Sequence, residues 1–303
     1  MNDTLPELID IRRNNILTVF DAISRGGRVT RAEISASTGL SQVTVGKSAA
    51  VLYENGVIEM FKRPSGRSAG RHTAECFISE KRKLLVFDLS GETVMMSIFG
   101  LSLKKLWQES FGYDLAEERC LGGLLEIGEE LAGLVCVLPD ERQGAASERA
   151  SDLIARIKKF RKPDAALSAV EASSIYHAEK FDGNLILLKK TNALLSGAVV
   201  RNGVLMRLPR GGVSTLYRIE ENAARVGAVL SISTGVGAIM LECSADELSS
   251  QNGFGDEVSD LFEDTDDIPE AAAASGEPDE IETGAAVFLR RSWLGSFSGA
   301  EKR

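Results

Sequence analysis

The sequence predicts an α/β chain in two parts: a winged helix-turn-helix over residues 1–80 and a ribonuclease-H-like domain over residues 84–303. Three observations predict it. Between Arg12 and Arg71, three helical patterns precede two strand-like runs joined by a basic, glycine-containing link. From Leu84 onward, three strand-like runs give way to alternating helical and strand patterns. The charge also changes sign between the parts. Residues 1–82 hold 12 Lys+Arg and 9 Asp+Glu, a net of +3, which leaves 23 basic and 35 acidic residues, a net of −12, in the rest of a chain carrying −9.

The first helix opens at Arg12-Arg13-Asn14-Asn15 and repeats apolar residues at helical spacing through Ile16, Leu17, Phe20 and Ile23. Gly26-Gly27 ends it. Thr30-Arg31-Ala32-Glu33 has the Ser/Thr-x-x-Glu form of a capping box and opens a short second helix with Ile34 facing inward. Gly39 supplies a tight turn, and Ser41 is placed to cap a third helix that ends near Gly56. Val57 to Phe61 and Thr73 to Phe77 are the two strands of a wing, with Lys62, Arg63, Arg67 and Arg71 on the link between them.

This order of elements is that of a DNA reader. A recognition helix in the major groove needs short polar side chains near its N-terminus, where they approach base edges. Ser41, Gln42, Thr44 and Lys47 meet that need, and Gln42 can make a bidentate contact to adenine. Thr30 and Arg31, at the start of the second helix, complete the DNA-facing set. The cationic wing suits phosphate contacts or an Arg in the minor groove. The competing reading is a three-helix unit with a solvated basic loop that contacts protein. An acidic total does not argue against DNA, because the positive charge sits where the motif is.

In the second part, Leu84 to Asp88, Glu92 to Phe99 and Lys105 to Phe111 are predicted strands. Leu115 to Leu134 is predicted as a helix, Val135 to Leu138 as a buried strand, and Ser147 to Phe160 as an amphipathic helix. Ala165 to Val170, Asn184 to Lys189 and Gly197 to Val200 continue the strand-rich pattern.

With these residues in view, the chain resembles the ROK family (repressors, open reading frames and kinases). Its repressor branch joins an N-terminal winged helix-turn-helix to an actin-like, sugar-kinase-type domain. Over residues 12–78 the resemblance is carried by Asn15-Ile16-Leu17, Thr30 to Ile34, Thr38 to Val45 and Ala69-Gly70-Arg71. Beyond residue 84 it is carried by Asp88-Leu89-Ser90-Gly91, Val170-Glu171, Gly197 to Gly203 and Gly284-Ala285-Ala286. It implies repression of carbohydrate genes and a ligand cleft whose remnant includes Asp88, Glu171, Ser173, His177 and Gly197. The helix-turn-helix itself, a motif that binds as two-fold dimers, leads to the expectation of a homodimer on palindromic double-stranded DNA.

The departures from the family pattern imply lost chemistry. Ser173 stands where the family's kinases have the Asp that accepts a sugar proton, and a serine cannot act as that base near neutral pH. The family's Gly-x-Gly-x-Gly phosphate loop reads Ala193, Leu195 and Gly197 here. The Glu-x-Gly-His element is replaced by Leu208 to Val213, and no His and Cys cluster offers a structural zinc site. The domain is also shorter than the family's. No catalytic residue, cofactor or metal is therefore expected, direct sugar sensing is in doubt, and the domain is expected to serve dimerisation and effector or partner sensing. A remodelled pocket for another metabolite is the alternative, and an active sugar kinase the weakest one.

The remaining candidates carry less. His72 lies beside the wing, and no Gly-x-Ser-x-Gly elbow supports a hydrolase built on His177. Asp140 reads as a loop carboxylate. Gly235-Val236-Gly237 resembles a phosphate turn only loosely, and a helix start or close packing reads it better. Cys76, Cys120, Cys136 and Cys243 are widely spaced and read as buried small residues, which suits a cytoplasmic compartment. No basic-then-apolar leader or bilayer-length apolar run is found. Val226 to Leu289 contains no Lys or Arg, and residues 256–282 concentrate acid. That acidic segment is expected to be a solvated, flexible loop, with repulsion of DNA or folding against the wing as alternatives.

Overall fold

The structure is a computed structural model that describes residues 4–62, 74–140, 144–179, 185–191, 194–206, 215–216, 239–242, 271–273 and 279–297. Three helices come first: α1 (Thr4–Gly26), α2 (Arg31–Thr38) and α3 (Gln42–Glu54). Ile16, Val19, Phe20 and Ile23 of α1 are buried against Ile34 of α2 and Val45, Ala49 and Leu52 of α3. Strand β1 (Val29–Thr30), which the sequence pattern does not announce, pairs with β3 (Ala74–Ile78), and β3 pairs with β2 (Ile58–Lys62). The wing is thus a three-stranded antiparallel sheet whose β2–β3 ladder runs to Lys62↔Ala74.

Local chemistry sets these helix starts. The Thr30 hydroxyl accepts from the Glu33 amide at 3.3 Å, and the Thr30 amide donates to the Glu33 carboxylate at 2.7 Å. These bonds hold the Glu33 carboxyl below its ordinary range. Gly39 closes α2 at φ +71°, a conformation that costs a glycine nothing. Ser41 then accepts from the Thr44 amide at 3.1 Å and starts α3. Thr30→Ala should lower the unfolding free energy by about 1 kcal/mol. A urea midpoint equal to that of the unaltered chain would show that this cap contributes nothing.

The second part is built on two sheets with the same strand order. In the first, β4 (Lys83–Asp88), β5 (Val94–Gly100), β6 (Lys105–Phe111), β7 (Leu131–Leu138) and β8 (Ala165–Ser168) lie in the order β6-β5-β4-β7-β8. In the second, β9 (Leu185–Thr191), β10 (Leu194–Arg201), β11 (Val204–Met206), β13 (Ile239–Glu242) and β14 (Ala271–Ala273) lie in the order β11-β10-β9-β13-β14, while β12 (Thr215–Leu216) pairs with β10. Each sheet begins as an antiparallel meander and continues with two parallel strands. This duplicated order is the ribonuclease-H-like, actin-like architecture that the sequence predicts.

Helices cover the sheets according to the faces of their strands. Leu85, Phe87, Leu134 and Cys136 form one core with α4 (Ala116–Ile127) and α5 (Ala145–Ile157), whose Ala150, Leu153, Ile154 and Ile157 supply the amphipathic stripe. Leu84, Val86, Val135 and Val137 face the other way, towards α6 (Ala169–Ala178) and α7 (Glu280–Ser296). That second core runs without interruption into Ile16, Val19 and Phe20 of α1. The helix-turn-helix and the α/β part therefore share one apolar interior.

Several boundaries differ from the sequence reading. The helix expected over Leu115 to Leu134 stops at Ile127, and Leu131 to Leu134 instead begins β7. An apolar run of that length fits strand or helix equally, and pairing with β4 decides it. The strand expected to reach Val170 ends at Ser168, where α6 starts. The acidic segment expected to be flexible over residues 256–282 contains β14 and ends inside α7, where Glu280 and Glu282 are buried.

Candidate DNA-reading face and the sealed cleft position

Helix α3 presents one apolar and one polar side. Val45, Ala49 and Leu52 point into the core, while Gln42, Val43 and Lys47 are exposed. The Thr44 hydroxyl lies 2.9 Å from that of Ser41, so the two polar groups form a pair at the N-terminus of the helix. Arg31 of α2 is exposed, and its guanidinium stands beside α3 at Gly46. Ser41, Gln42, Thr44 and Lys47 thus lie along α3 with Arg31 beside it, and Thr30 is next to Arg31 as the cap of α2. Lys62 ends β2. Arg63, Arg67, Arg71 and His72 lie outside the described residues.

Two residues of this face escaped the sequence reading. Val43 is 68 % exposed, an apolar side chain among polar neighbours, suited to a thymine methyl group. Its signal was present, since Val43 lies about 200° around the helix from the buried Val45. Arg28 is exposed and stacks over the wing, with its guanidinium 4.8 Å from the Phe77 ring centroid and 6.0 Å from that of Phe61. Nothing in the local sequence pairs Arg28 with rings 33 and 49 positions away.

In the α/β part, the structure brings Glu171, Ser173 and His177 together on α6. Capping dictates where α6 starts. The Ser168 hydroxyl accepts from the Glu171 amide at 3.3 Å, and the Glu171 carboxylate accepts from the Ser168 amide at 2.9 Å. Asp140, expected in a loop, is buried and accepts from the Val170 amide at 2.8 Å. The Glu171 carboxylate is thereby committed to the helix end.

One turn on, Ser173 and His177 face α7. The Ser173 hydroxyl donates to Glu280 Oε1 at 2.9 Å, and His177 Nε2 lies 3.0 Å from Glu280 Oε2. Ser173 and His177 are each 2 % exposed, so neither meets solvent. The order of the three groups excludes a hydrolase triad. The carboxylate sits in the middle and the imidazole does not touch the hydroxyl, so no base is placed to activate Ser173. Glu280 is the hub of the cluster, and sequence reasoning had placed it in a flexible loop.

Asp88 and Gly197 are held elsewhere. Asp88, at the end of β4, accepts from the amide and hydroxyl of Ser90 at 2.9 and 2.6 Å. It lies near the first turn of α7, where burial, supported by the Asp88 charge, pushes the Glu282 carboxyl above its ordinary range. Gly197 is buried within β10, opposite Leu188, and Leu195 stands opposite Lys190 in the same ladder. The β9–β10 ladder closes at Thr191↔Leu194, so the chain passes between these strands in two residues. Ala193, Leu208 to Val213 and Gly235 to Gly237 lie outside the described residues.

Other reactive side chains are muted. Burial pushes the thiols of Cys120 and Cys136 up to about 12, far from thiolate chemistry at neutral pH, and raises that of Cys76 as well. Cys243 lies outside the described residues. Among the described residues, no group of three or more His, Cys, Asp or Glu could hold a metal ion, and no helix is long and apolar enough to cross a membrane.

No protein-family model matches the sequence, and no curated protein matches it. Solved structures do. The crystal structure of a ROK family transcriptional regulator, described as a homolog of the E. coli MLC protein, matches with a TM-score of 0.60 and 13 % identity, covering 95 % of this chain and 98 % of that one. A ROK family protein from Streptococcus pneumoniae TIGR4, solved in complex with sucrose, matches with a TM-score of 0.46 and 13 % identity over 68 % of this chain and 97 % of its own. The Lmo2764 protein of Listeria monocytogenes has the same TM-score and identity over 69 % of this chain and 98 % of its own. The first match extends over nearly the whole of both chains, so the wing unit and the α/β part together have the architecture of that regulator.

Proposed function

We propose that this chain is a sequence-specific DNA-binding transcriptional regulator of the ROK type, acting as a cytoplasmic homodimeric repressor on a palindromic operator. Residues 1–80 read DNA. Residues 84–303 carry a kinase-like domain that no longer transfers phosphate and serves dimerisation and effector or partner sensing. The observation that carries this reading is the polar end of α3, where Gln42, Val43 and Lys47 are exposed beside Arg31 on a helix fixed by the Ser41 cap. Two-fold dimers of such units read half-sites about one helical turn apart. The sealed surroundings of Ser173 support the absence of phosphotransfer, and the likeness in fold to a ROK regulator supports the joining of the two parts.

Selection of bound DNA by the full chain, followed by anisotropy titration, tests this function. A palindrome bound by two copies is expected, and binding no better than to random duplex would refute it. Gln42→Ala should cost about 1–3 kcal/mol of discrimination at one base position, with Thr44→Ala acting in the same sense. Arg67→Ala or Arg71→Ala should weaken all DNA evenly and lower the salt slope by about one. Equal losses on every sequence from all four variants would remove the assignment of α3 as the reading element.

A further inference from the structure

We infer that the junction of α1, α7 and the β10–β11 hairpin is a binding site for a small organic anion, with an apolar body and a carboxylate or phosphate head. We further infer that its occupancy changes DNA affinity, and this second part rests on the function proposed above. Two adjoining cavities, of about 580 and 330 Å³, share Asp21, Asn202, Gly203 and Arg291 in their walls. The larger is floored by Leu17, Ile175, Leu205 and Phe288, and its volume falls within the roughly 300–1,000 Å³ of small-molecule sites.

The charges at the junction call for an anion. Among the described residues, Arg13, Arg25, Arg290 and Arg291 line the two cavities against two carboxylates, Asp21 and Glu179. Arg291 is committed, pairing with Glu179 at 2.7 Å and donating to the Gly203 carbonyl at 2.8 Å. Arg290 is only partly committed. It is 7 % exposed, stacks on Phe20 at 5.1 Å and donates from Nη1 to the Leu101 carbonyl at 3.1 Å. Its buried Nε has no hydrogen-bond partner among the described residues. Burial raises the Asp21 carboxyl above its ordinary range, against the lowering effect of Arg290 and Arg291. An oxyanion in the smaller cavity would lie among the arginines that line it, and charge-assisted hydrogen bonds to guanidinium groups are the strong ones. A sugar, hydroxylated on every side, would waste the apolar floor.

The position of the site links it to regulation. One wall is α1, which fills the core of the DNA-reading unit, and the other walls come from α6, α7 and β11 of the α/β part. A ligand touching both parts shifts their arrangement only by its differential affinity for the two states, and DNA must then shift the ligand's affinity by the same factor.

Calorimetry on the full chain without DNA tests the site, with phenylacetate and phenyl phosphate as probes and 2-phenylethanol as the neutral control. At least one acid should bind, with the alcohol at least roughly tenfold weaker. Arg290→Gln and Val204→Trp should each weaken that acid by at least roughly tenfold. Val204 lines the larger cavity and is 60 % exposed, so its replacement leaves the core intact. No binding by either acid, equal binding by the alcohol, or full binding by both variants would overturn the site. The same acid is then titrated into the complex of the chain with its selected DNA. An unchanged DNA affinity would overturn the regulatory part alone, whereas a chain that bound no DNA would bring down the regulator reading and leave the calorimetric result standing.

Discussion

Gly284→Ala should destabilise the protein by about 3 kcal/mol or more, the upper end of the cost of overpacking. Gly284 sits in the second turn of α7, where that helix meets α6 backbone to backbone. A Cβ at this position would overlap the carbonyl oxygen of Ala172, and it would lie 2.8 Å from the Ala172 carbonyl carbon and 3.2 Å from the Tyr176 amide nitrogen. Neither helix backbone can step aside as a side chain could, so the helices must part. Helix propensity alone predicts the opposite sign, a gain of about 1 kcal/mol for Gly→Ala. The steric cost is larger and should win. Gly122→Ala in α4 is the matched control, because a Cβ there meets nothing within 4 Å and propensity should act alone. Urea unfolding of both variants decides the matter. A midpoint for Gly284→Ala at or above that of the unaltered chain would mean that α6 and α7 do not cross so closely.

The legible features were those written in short stretches of sequence. Thr30 with Glu33, Gly39 and Ser41 are local devices, and each signals its own helix end, so the helix-turn-helix could be read in order. The alternating pattern after Leu84 conveyed the strand-rich architecture for the same reason. What failed depends on partners distant in the chain. Leu131 to Leu134 became strand through pairing with β4, nearly fifty residues away. Glu280 stands in an acidic run that resembles a solvated loop, and only the return of α7 onto α6 brings it against Ser173 and His177. Arg290 and Asp21, from opposite ends of the sequence, line the same cavity. Capping motifs are local and therefore visible, whereas a buried polar cluster is a tertiary fact.

Ser173→Asp restores the residue type that the family resemblance places at this position, and it should produce an unstable protein with no sugar kinase activity. Ser173 Oγ donates to Glu280 at 2.9 Å, and both residues are buried. A second carboxyl there cannot ionise beside the first, so one of the pair is forced to hold a proton or the cluster opens. Ser173→Ala leaves Glu280 its contact with His177 and should cost about 1–3 kcal/mol, the loss of one buried partner. The acidic replacement should cost more, about 3–5 kcal/mol at neutral pH, the scale of an uncompensated buried charge. The sign with pH follows from the raised folded-state pKa of the introduced carboxyl. The penalty is absent below the unfolded value of about 4, grows as pH rises above it, and levels off above the folded value. Unfolding curves of the variant at pH 4 and pH 8 should therefore differ more than those of the unaltered chain. Phosphate transfer from ATP to glucose or N-acetylglucosamine should stay at the no-enzyme level in both proteins, because the side chain at this position is sealed beneath α7. A variant that is stable at pH 8 and transfers phosphate would show that α7 can lift and that the kinase chemistry was lost through one residue.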